Sequence, residues 1–522
     1  MTDLTLQHIV TKTIQKTHKN YNDACAYLDS NLKKIHNKPA LLNNLGLLFY
    51  QQIEYDLACR CFYFLLENNK DQYPCHNNLG LTLNRFGLGE EAVKHYKKAL
   101  EIKDNYHQAR SNLAYALLYF GETGRDEIKQ AHQDIANHVF KQSKTYLCSR
   151  PLNPNGKITI GYVSSDLRDH AVGRFMIGIL EQHNRSKFDV HVFDNRANNT
   201  DTTAQRLKKL DTHWHDINAL NTHDACTLIT KQNIDILIDL SGHTNGARPD
   251  IFSNRVAPAQ ITYLGYPNTS GLPTMDFRLG DVFADPISNA SQNTETMLRL
   301  PIPMWHYTPW SNMPHLNTAP VSQNGYVTFG SANNHAKLQN DWLEVWAKSL
   351  KAIPSSRFKI KSRALRNPKV AADFLDFFKH KGVANERIDI FHYSPTKADH
   401  WQTLSSFDIA LDSFPYNGTT TSCDLLWLGV PILTRQGNSH VSRTTASLLN
   451  GIGMQSWIAN NNNDFIELCE EKASNTLELI KCRQSLQARI KNSSLGNSHL
   501  FITEYEHSLK KAWSITCNKH NH

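Results

Sequence analysis

No apolar run in this 522-residue sequence approaches the roughly 20 residues that a membrane-crossing helix needs. The start, MTDLTLQHIV, lacks a basic segment followed by an apolar one, so no secretory leader is expected. Cysteines number ten, at 25, 59, 61, 75, 148, 226, 423, 469, 482 and 517. None forms a CxxC pair, so neither a zinc ribbon nor a disulfide framework is suggested, and reduced cytosolic thiols are the simplest reading. No basic tract demands nucleic acid. The formal charge of +8 is mild, and Lys alternates with Glu and Asp, which is compatible with an anionic ligand. The 26 His are mostly surface or structural. The HWH of His213 to His215 and the tail NKHNH lack a further ligand at a supporting spacing, so no metal site is expected there. What remains is a globular composition, 40% hydrophobic and 20% charged, in a chain long enough for two to four domains.

The first 122 residues repeat. Asn44-Leu45-Gly46 recurs as Asn78-Leu79-Gly80 and as Asn112-Leu113-Ala114, each time 34 residues on. Ala24, Ala58 and Ala92 keep the step, Tyr21 matches Tyr55, Phe62 matches Tyr96, and Leu66 matches Leu100. Small residues let paired helices approach, and large ones fill the seam. The period is that of a tetratricopeptide helix-turn-helix unit. Repeats are expected at 4–37, 38–71 and 72–105, with a partial one to about 122. Such an array either presents a concave face to peptide or braces the next domain.

A helical connector covers 123–154 and ends in the turn-rich SRPLNPNGK. Strands then alternate with helices, the pattern of a parallel sheet covered on both faces. The first α/β lobe is expected over 155–322, a second over 323–462, and C-terminal helices over 463–522, at about 463–493 and 499–515. Two doubly wound units in tandem place a ligand at the carboxyl ends of their strands.

Three strand ends of the second lobe carry polar residues. In DSFPYNGTTTSCD, Asn417 and Gly418 form a turn and Thr419, Thr420 and Thr421 open a helix, a natural seat for a phosphate. Asp424, one turn further in, is placed to accept from a sugar diol. ANNHAK delivers Asn333, Asn334 and Lys337 before a helix near Leu338, where a cation is unfavourable unless an anion intervenes. HYSPTKADH sets Lys397 and His400 three apart on a helix start, with His400 either stacking on a flat ring or simply exposed. Together these match a nucleotide diphosphate. The facing lobe offers His170, able to take a proton from a hydroxyl or bond a sugar. Gly242 and Gly265 permit either close backbone approach to a ligand or a turn. Of Asp235 and Asp239, at least one is expected to face the cleft. No DxD-type metal pair lies near the proposed diphosphate, and Lys337 with helix ends can take the metal's place.

The repeats followed by GYVSSDLRDH, RVAPAQITYLGYPNTSG, the Asn-Asn-x-x-Lys turn and YNGTTTSCDLLWLGVP resemble the O-GlcNAc transferase / SPINDLY family of glycosyltransferases over nearly the whole chain. The resemblance implies a tetratricopeptide superhelix followed by a GT-B fold. It implies inverting, metal-independent transfer from a nucleotide sugar, UDP-GlcNAc being favoured, to protein Ser/Thr in the cytoplasm, with no other cofactor. By motif, Lys337 would hold the diphosphate and the leaving group, and Asn334 the phosphates or sugar. Lys397 and His400 would flank the base, Asp424 the ribose, and Asn417 to Thr421 the phosphate. His170 would lie near the transferred sugar and acceptor, the base being either His170 or a donor phosphate oxygen. Gly242, His243, Leu264, Gly265, Tyr266 and Pro267 would wall the sugar or acceptor. Thr419 stands where the animal enzymes carry His, and their long insert between lobes is absent. The array is short. LGYPNTSGLPTMDFR is closer to SPINDLY-type sequences, whose plant members use GDP-fucose. A different reading is a peptide-binding scaffold whose lobes are inactive.

Overall fold

The computed structural model describes residues 3–17, 19–120, 124–139, 143–146, 151–196, 201–314, 318–392, 394 and 396–520. It begins with seven helices in antiparallel succession: α1 (Asp3–Thr17), α2 (Tyr21–Lys34), α3 (Pro39–Gln51), α4 (Tyr55–Asn68), α5 (Tyr73–Arg85), α6 (Gly89–Ile102) and α7 (His107–Leu117). The start signals are local. Asn20 caps α2 by accepting from the backbone N–H of Asn22 and Asp23, and α3 and α5 carry Pro in their first turn. The 34-residue step has a steric meaning. A Cβ on Gly46 would sit 2.4 Å from the Phe62 ring, and one on Gly80 would sit 2.8 Å from Tyr96. Each glycine thus admits the aromatic of the following helix, and the two joints lie one repeat apart. Leu42, Leu45, Phe49, Leu57, Phe62, Leu79 and Tyr96, all fully buried, continue this seam as one apolar core.

An eighth helix, α8 (Arg125–Val139), lies in the expected connector; residues 140–142 and 147–150 of that segment are outside the described residues. Thirteen strands follow among the described residues. The first sheet contains β1 (Ile158–Ser164), β2 (Phe188–Asp194), β3 (His213–Asp216), β4 (Ile236–Asp239), β5 (Ala259–Tyr263), β6 (Phe277–Asp281) and β7 (Thr296–Leu300) in the order β3-β2-β1-β4-β5-β6-β7. The second contains β8 (Thr328–Ser331), β9 (Arg357–Lys361), β10 (Ile388–Phe391), β11 (Ile409–Leu411), β12 (Ile432–Arg435) and β13 (Ile458–Ala459) in the order β10-β9-β8-β11-β12-β13. The registered pairs are parallel. Two doubly wound sheets after helical repeats make the GT-B architecture. Strands β3, β6, β7 and β13 were not legible as alternating runs. The helix expected over 463–493 is two, Asn462–Ser474 and Thr476–Asn492, because Asn475 turns out of helical geometry and caps the second through Glu478 N–H.

By packing, the chain forms two compact units that cut across the expected 323–462 lobe. One comprises Met1–Phe120, Ala332–Lys351 and Arg357–Pro395; the other comprises Gly121–Ser331, Ala352–Ser356 and Thr396–His522. In the second, the last helix, Ser498–His520, packs on the first sheet. Its Tyr505 meets Tyr162, and its Glu506 accepts from both His183 and the Asn184 backbone. No helix among the described residues is long and apolar enough to cross a membrane.

Candidate functional site

Two helix starts organise the second unit. The helix Ala171–Gln182 follows β1 through the turn Ser-Ser-Asp, and His170 is its N-cap. The His170 side chain accepts from Val172 N–H at 3.4 Å through Nδ1. Asp166 Oδ1 lies 3.8 Å from the same nitrogen, too far for a hydrogen bond. Burial lowers the His170 pKa, opposed by Asp166, so the ring is neutral at neutral pH. With Nδ1 accepting, the proton resides on Nε2. In this tautomer His170 offers a donor rather than a base.

One turn on, Arg174 occupies a largely apolar helix and is 4% exposed. Its Nη1 donates to Asp424 Oδ1 at 3.0 Å, and Tyr307 Oη donates to the same oxygen at 2.6 Å. Asp424 belongs to the other helix start, Thr420–Trp427. Burial raises its pKa, while Arg174 and Tyr307 work in the opposite direction. The Arg174 guanidinium stacks over the rings of Tyr307 and Trp310, 4.8 and 4.5 Å from their centroids. Lys397 covers Trp310 at 3.2 Å and reaches Asp169 Oδ2 at 2.6 Å. The Arg174–Asp424 pair therefore joins the fourth residue of one helix to the fifth of another. Each helix start carries a positive dipole end, where an anion is favoured.

The Gly-Thr turn is braced from below. Asp412 accepts from Gly418 N–H at 2.8 Å, and Gly418 C=O accepts from Thr444 and Thr445 hydroxyls, each at 3.0 Å. Asn417 is fully buried, its amide donating to Ser413 C=O, so it shapes the turn. Thr419 is the N-cap but makes no side-chain capping bond, and Thr419, Thr420 and Thr421 are half-buried. Lys397 opens the helix Lys397–Ser405, capped by Thr396 with Asp399, and His400 is half-buried one turn in; residues 393 and 395 of HYSPTKADH lie outside the described residues.

Asn334 and Lys337 belong to the first unit. Asn334 is exposed and caps the short turn His335–Lys337 by accepting from Ala336 N–H at 3.2 Å; Lys337 is half-buried. The long helix starts at Asn340 rather than Leu338, with the turn interposed. Asn333 is 7% exposed.

The sugar-or-acceptor wall is more self-engaged than its sequence suggests. Tyr266 is buried, and its hydroxyl bonds His132 Nε2 of α8 at 2.6 Å. His243 Nε2 lies 2.7 Å from Ser270 C=O, and burial lowers its pKa. A Cβ on Gly265 would fall 1.7 Å from Leu240 O, and one on Gly242, at φ +57°, 2.3 Å from Tyr266 Cβ. These glycines admit the chain's own atoms. Leu264, at φ +67°, and Pro267 are half-buried. The expectation that Asp235 or Asp239 faces a cleft is corrected. Both are buried, Asp235 accepting from Thr159 N–H and Asp239 from Ser241 and Gly242 N–H.

Arg174, Tyr307, Trp310 and Asp169 were missed. The available signal was an arginine inside the apolar AVGRFMIGIL, and aromatics crowded into MWHYTPW.

The sequence profile of glycosyl transferase family 41 matches residues 117–326 and 321–505. The chain is a member of that family. Among similar proteins, a probable SPINDLY UDP-N-acetylglucosamine–peptide N-acetylglucosaminyltransferase of Petunia hybrida is 33% identical over 80% of this chain and 45% of its own. A probable SEC enzyme of the same description from Arabidopsis thaliana is 27% identical over 69% and 38%. The family-41 chain thus spans less than half the length of these plant relatives. A solved O-GlcNAc transferase of Thermobaculum terrenum, a lysine-to-methionine variant, superposes with TM-score 0.86 at 28% identity, covering 100% of both chains.

Proposed function

We propose that the chain is an inverting, metal-independent protein O-glycosyltransferase that moves GlcNAc from UDP-GlcNAc to Ser or Thr of protein acceptors. The observation that carries this reading is the tie between two helix starts through Arg174 and Asp424, beside an uncapped Gly-Thr turn. That arrangement suits a diphosphate held by backbone N–H groups and hydroxyls. In this reading Thr419, Thr420 and Thr421 hold the phosphates, and Lys337 with Asn334 neutralises the leaving group, so no metal is required at the donor. Lys397 and His400 flank the nucleobase. Asp424 acts on the ribose from a position fixed by Arg174 and Tyr307. His170, protonated on Nε2, donates to the sugar or the acceptor oxygen. The proton of the acceptor hydroxyl then passes to a donor phosphate oxygen.

Acceptor contact is assigned to the first unit. It contains a cavity of about 1440 Å³ bordered by Asp29, Arg60, Tyr63 and Glu91 of the repeats and by Lys369 and Asp373. A peptide could bind there through both charge signs. None of the nine described cysteines is joined in a disulfide, which suits a reducing, cytoplasmic setting.

The test is a nucleotide-sugar panel read by thermal shift and by mass spectrometry of acceptor peptides. UDP-GlcNAc at about 100 times its dissociation constant should add about 2.7 kcal/mol of stability and give a HexNAc-bearing product. Stabilisation and transfer with GDP-fucose alone would replace the donor. No ligand-induced stabilisation and no product would leave the scaffold reading.

A further inference from the structure

The segment His213-Trp214-His215 is β3, the edge strand of the first sheet, paired in parallel with β2. The register sets His191 opposite His213 and Phe193 opposite His215. Side chains alternate along a strand, so Asp189 and His191 of β2 share a face with His213 and His215 of β3. The missing ligands thus arrive from a strand more than twenty positions earlier, where no sequence spacing reveals them.

The geometry points to a divalent transition-metal site on Asp189, His191 and His213, taking a cation of borderline softness such as Zn²⁺, Co²⁺ or Ni²⁺. One ligand atom from each of the three lies within 4.8 Å of the others. His191 Nε2 is 3.4 Å from Asp189 Oδ2, and His213 Nε2 is 3.3 Å from Asp189 Oδ1. A tetrahedral ion with bonds of about 2.0 Å sets its ligand atoms about 3.3 Å apart. Imidazole with one carboxylate favours these metals over Mg²⁺ or Ca²⁺, which take oxygen ligands.

The surroundings support this. His191 Nδ1 lies 3.0 Å from His215 Nε2, the outer hydrogen bond that orients a ligating imidazole. When Nδ1–H donates to His215, the His191 Nε2 lone pair points at the Asp189 carboxylate, an arrangement a cation completes. Lys157 Nζ, 3.9 Å from Asp189 Oδ1, is half-exposed and free to swing aside. The His213 side chain is 60% exposed, which leaves an open path and room for water as a fourth ligand. The ion would clip the edge strand to its neighbour. None of the three ligands is among the residues proposed to hold the donor.

The test titrates Zn²⁺ into the metal-stripped full chain, held reduced by a phosphine, and follows heat and melting temperature. His213→Ala and Asp189→Asn, both at accessible side chains, should each weaken one binding event at least tenfold and abolish the Zn²⁺-dependent rise in melting temperature. A His520→Ala/His522→Ala double variant should leave both intact. Wild-type binding by His213→Ala, or loss of the event in the tail variant alone, overturns the site.

Discussion

The repeat helices and the second unit are held together by different physics. Between α3 and α6 the seam is made of glycine facing an aromatic ring, with leucines on either side. Charged contacts there, such as Arg60 with Asp29, sit at the surface. The second unit buries its charges. Asp285 lies between Arg278 at 2.9 Å and His440 at 2.8 Å, all three buried. Arg174 with Asp424, and His183 with Glu506, follow the same pattern. Apolar seams can repeat because they are interchangeable. Buried ion pairs fix one register only, and they are strongly destabilising when half removed.

The comparison can be broken by experiment. Asp285→Ala should cost the most, about 3–5 kcal/mol in denaturant unfolding, because Arg278 is left buried without its anion. A cost below that of any seam substitution would sink the contrast. Lys337→Ala comes next. This first-unit residue is assigned to chemistry rather than packing, and it should lower transfer from UDP-GlcNAc about 10²–10³-fold with little change in melting temperature. An unchanged rate would remove Lys337 from the site. Gly46→Ala should destabilise by about 1–3 kcal/mol, since the added Cβ must displace Phe62. A wild-type unfolding midpoint would show that the seam yields.

A smaller effect is read against pH. Burial lowers the pKa of His132 to about 3, and those of His306 and His335 to about 4. In the unfolded chain these rings titrate near pH 6.5. The unfolded state therefore binds more protons between about pH 4 and 6.5. The neutral-ring stability is complete above 6.5 and is lost as pH falls through that window, by up to about 1.4 kcal/mol per pH unit for each ring. Unfolding free energies measured from pH 7 to pH 5 should fall accordingly, and His306→Gln should flatten the slope. Arg60→Ala closes the series. Its bidentate bond to Asp29 is exposed, so stability should change by less than about 1 kcal/mol, and less at high salt.

The same contrast explains what the sequence revealed. The repeat helices could be placed because their determinants recur within 34 residues and each start signal is local. The strands β1, β2, β4 and β5 showed as apolar runs between turns. The Gly-Thr turn, Lys397 and Asp424 were visible as motif residues. Their companions were not. Arg174 and Asp424 are 250 positions apart, and only the folded sheets bring them together. Asp239 looked like a polar residue aimed at a ligand, yet its carboxylate closes the backbone turn at Gly242. Periodicity reports which face is buried but not which polar group a buried carboxylate will find.

The spacing of Gly46 and Phe62, kept at Gly80 and Tyr96, also bears on how such a chain can change length. Each seam presents the same socket and the same plug. Inserting or deleting 34 residues in register would add or remove one complete joint, whereas a cut inside a repeat by any other number would leave a ring without its recess. The helical arm can therefore lengthen only in whole steps, and a family built on this joint can vary its reach without redesigning the sheets that follow.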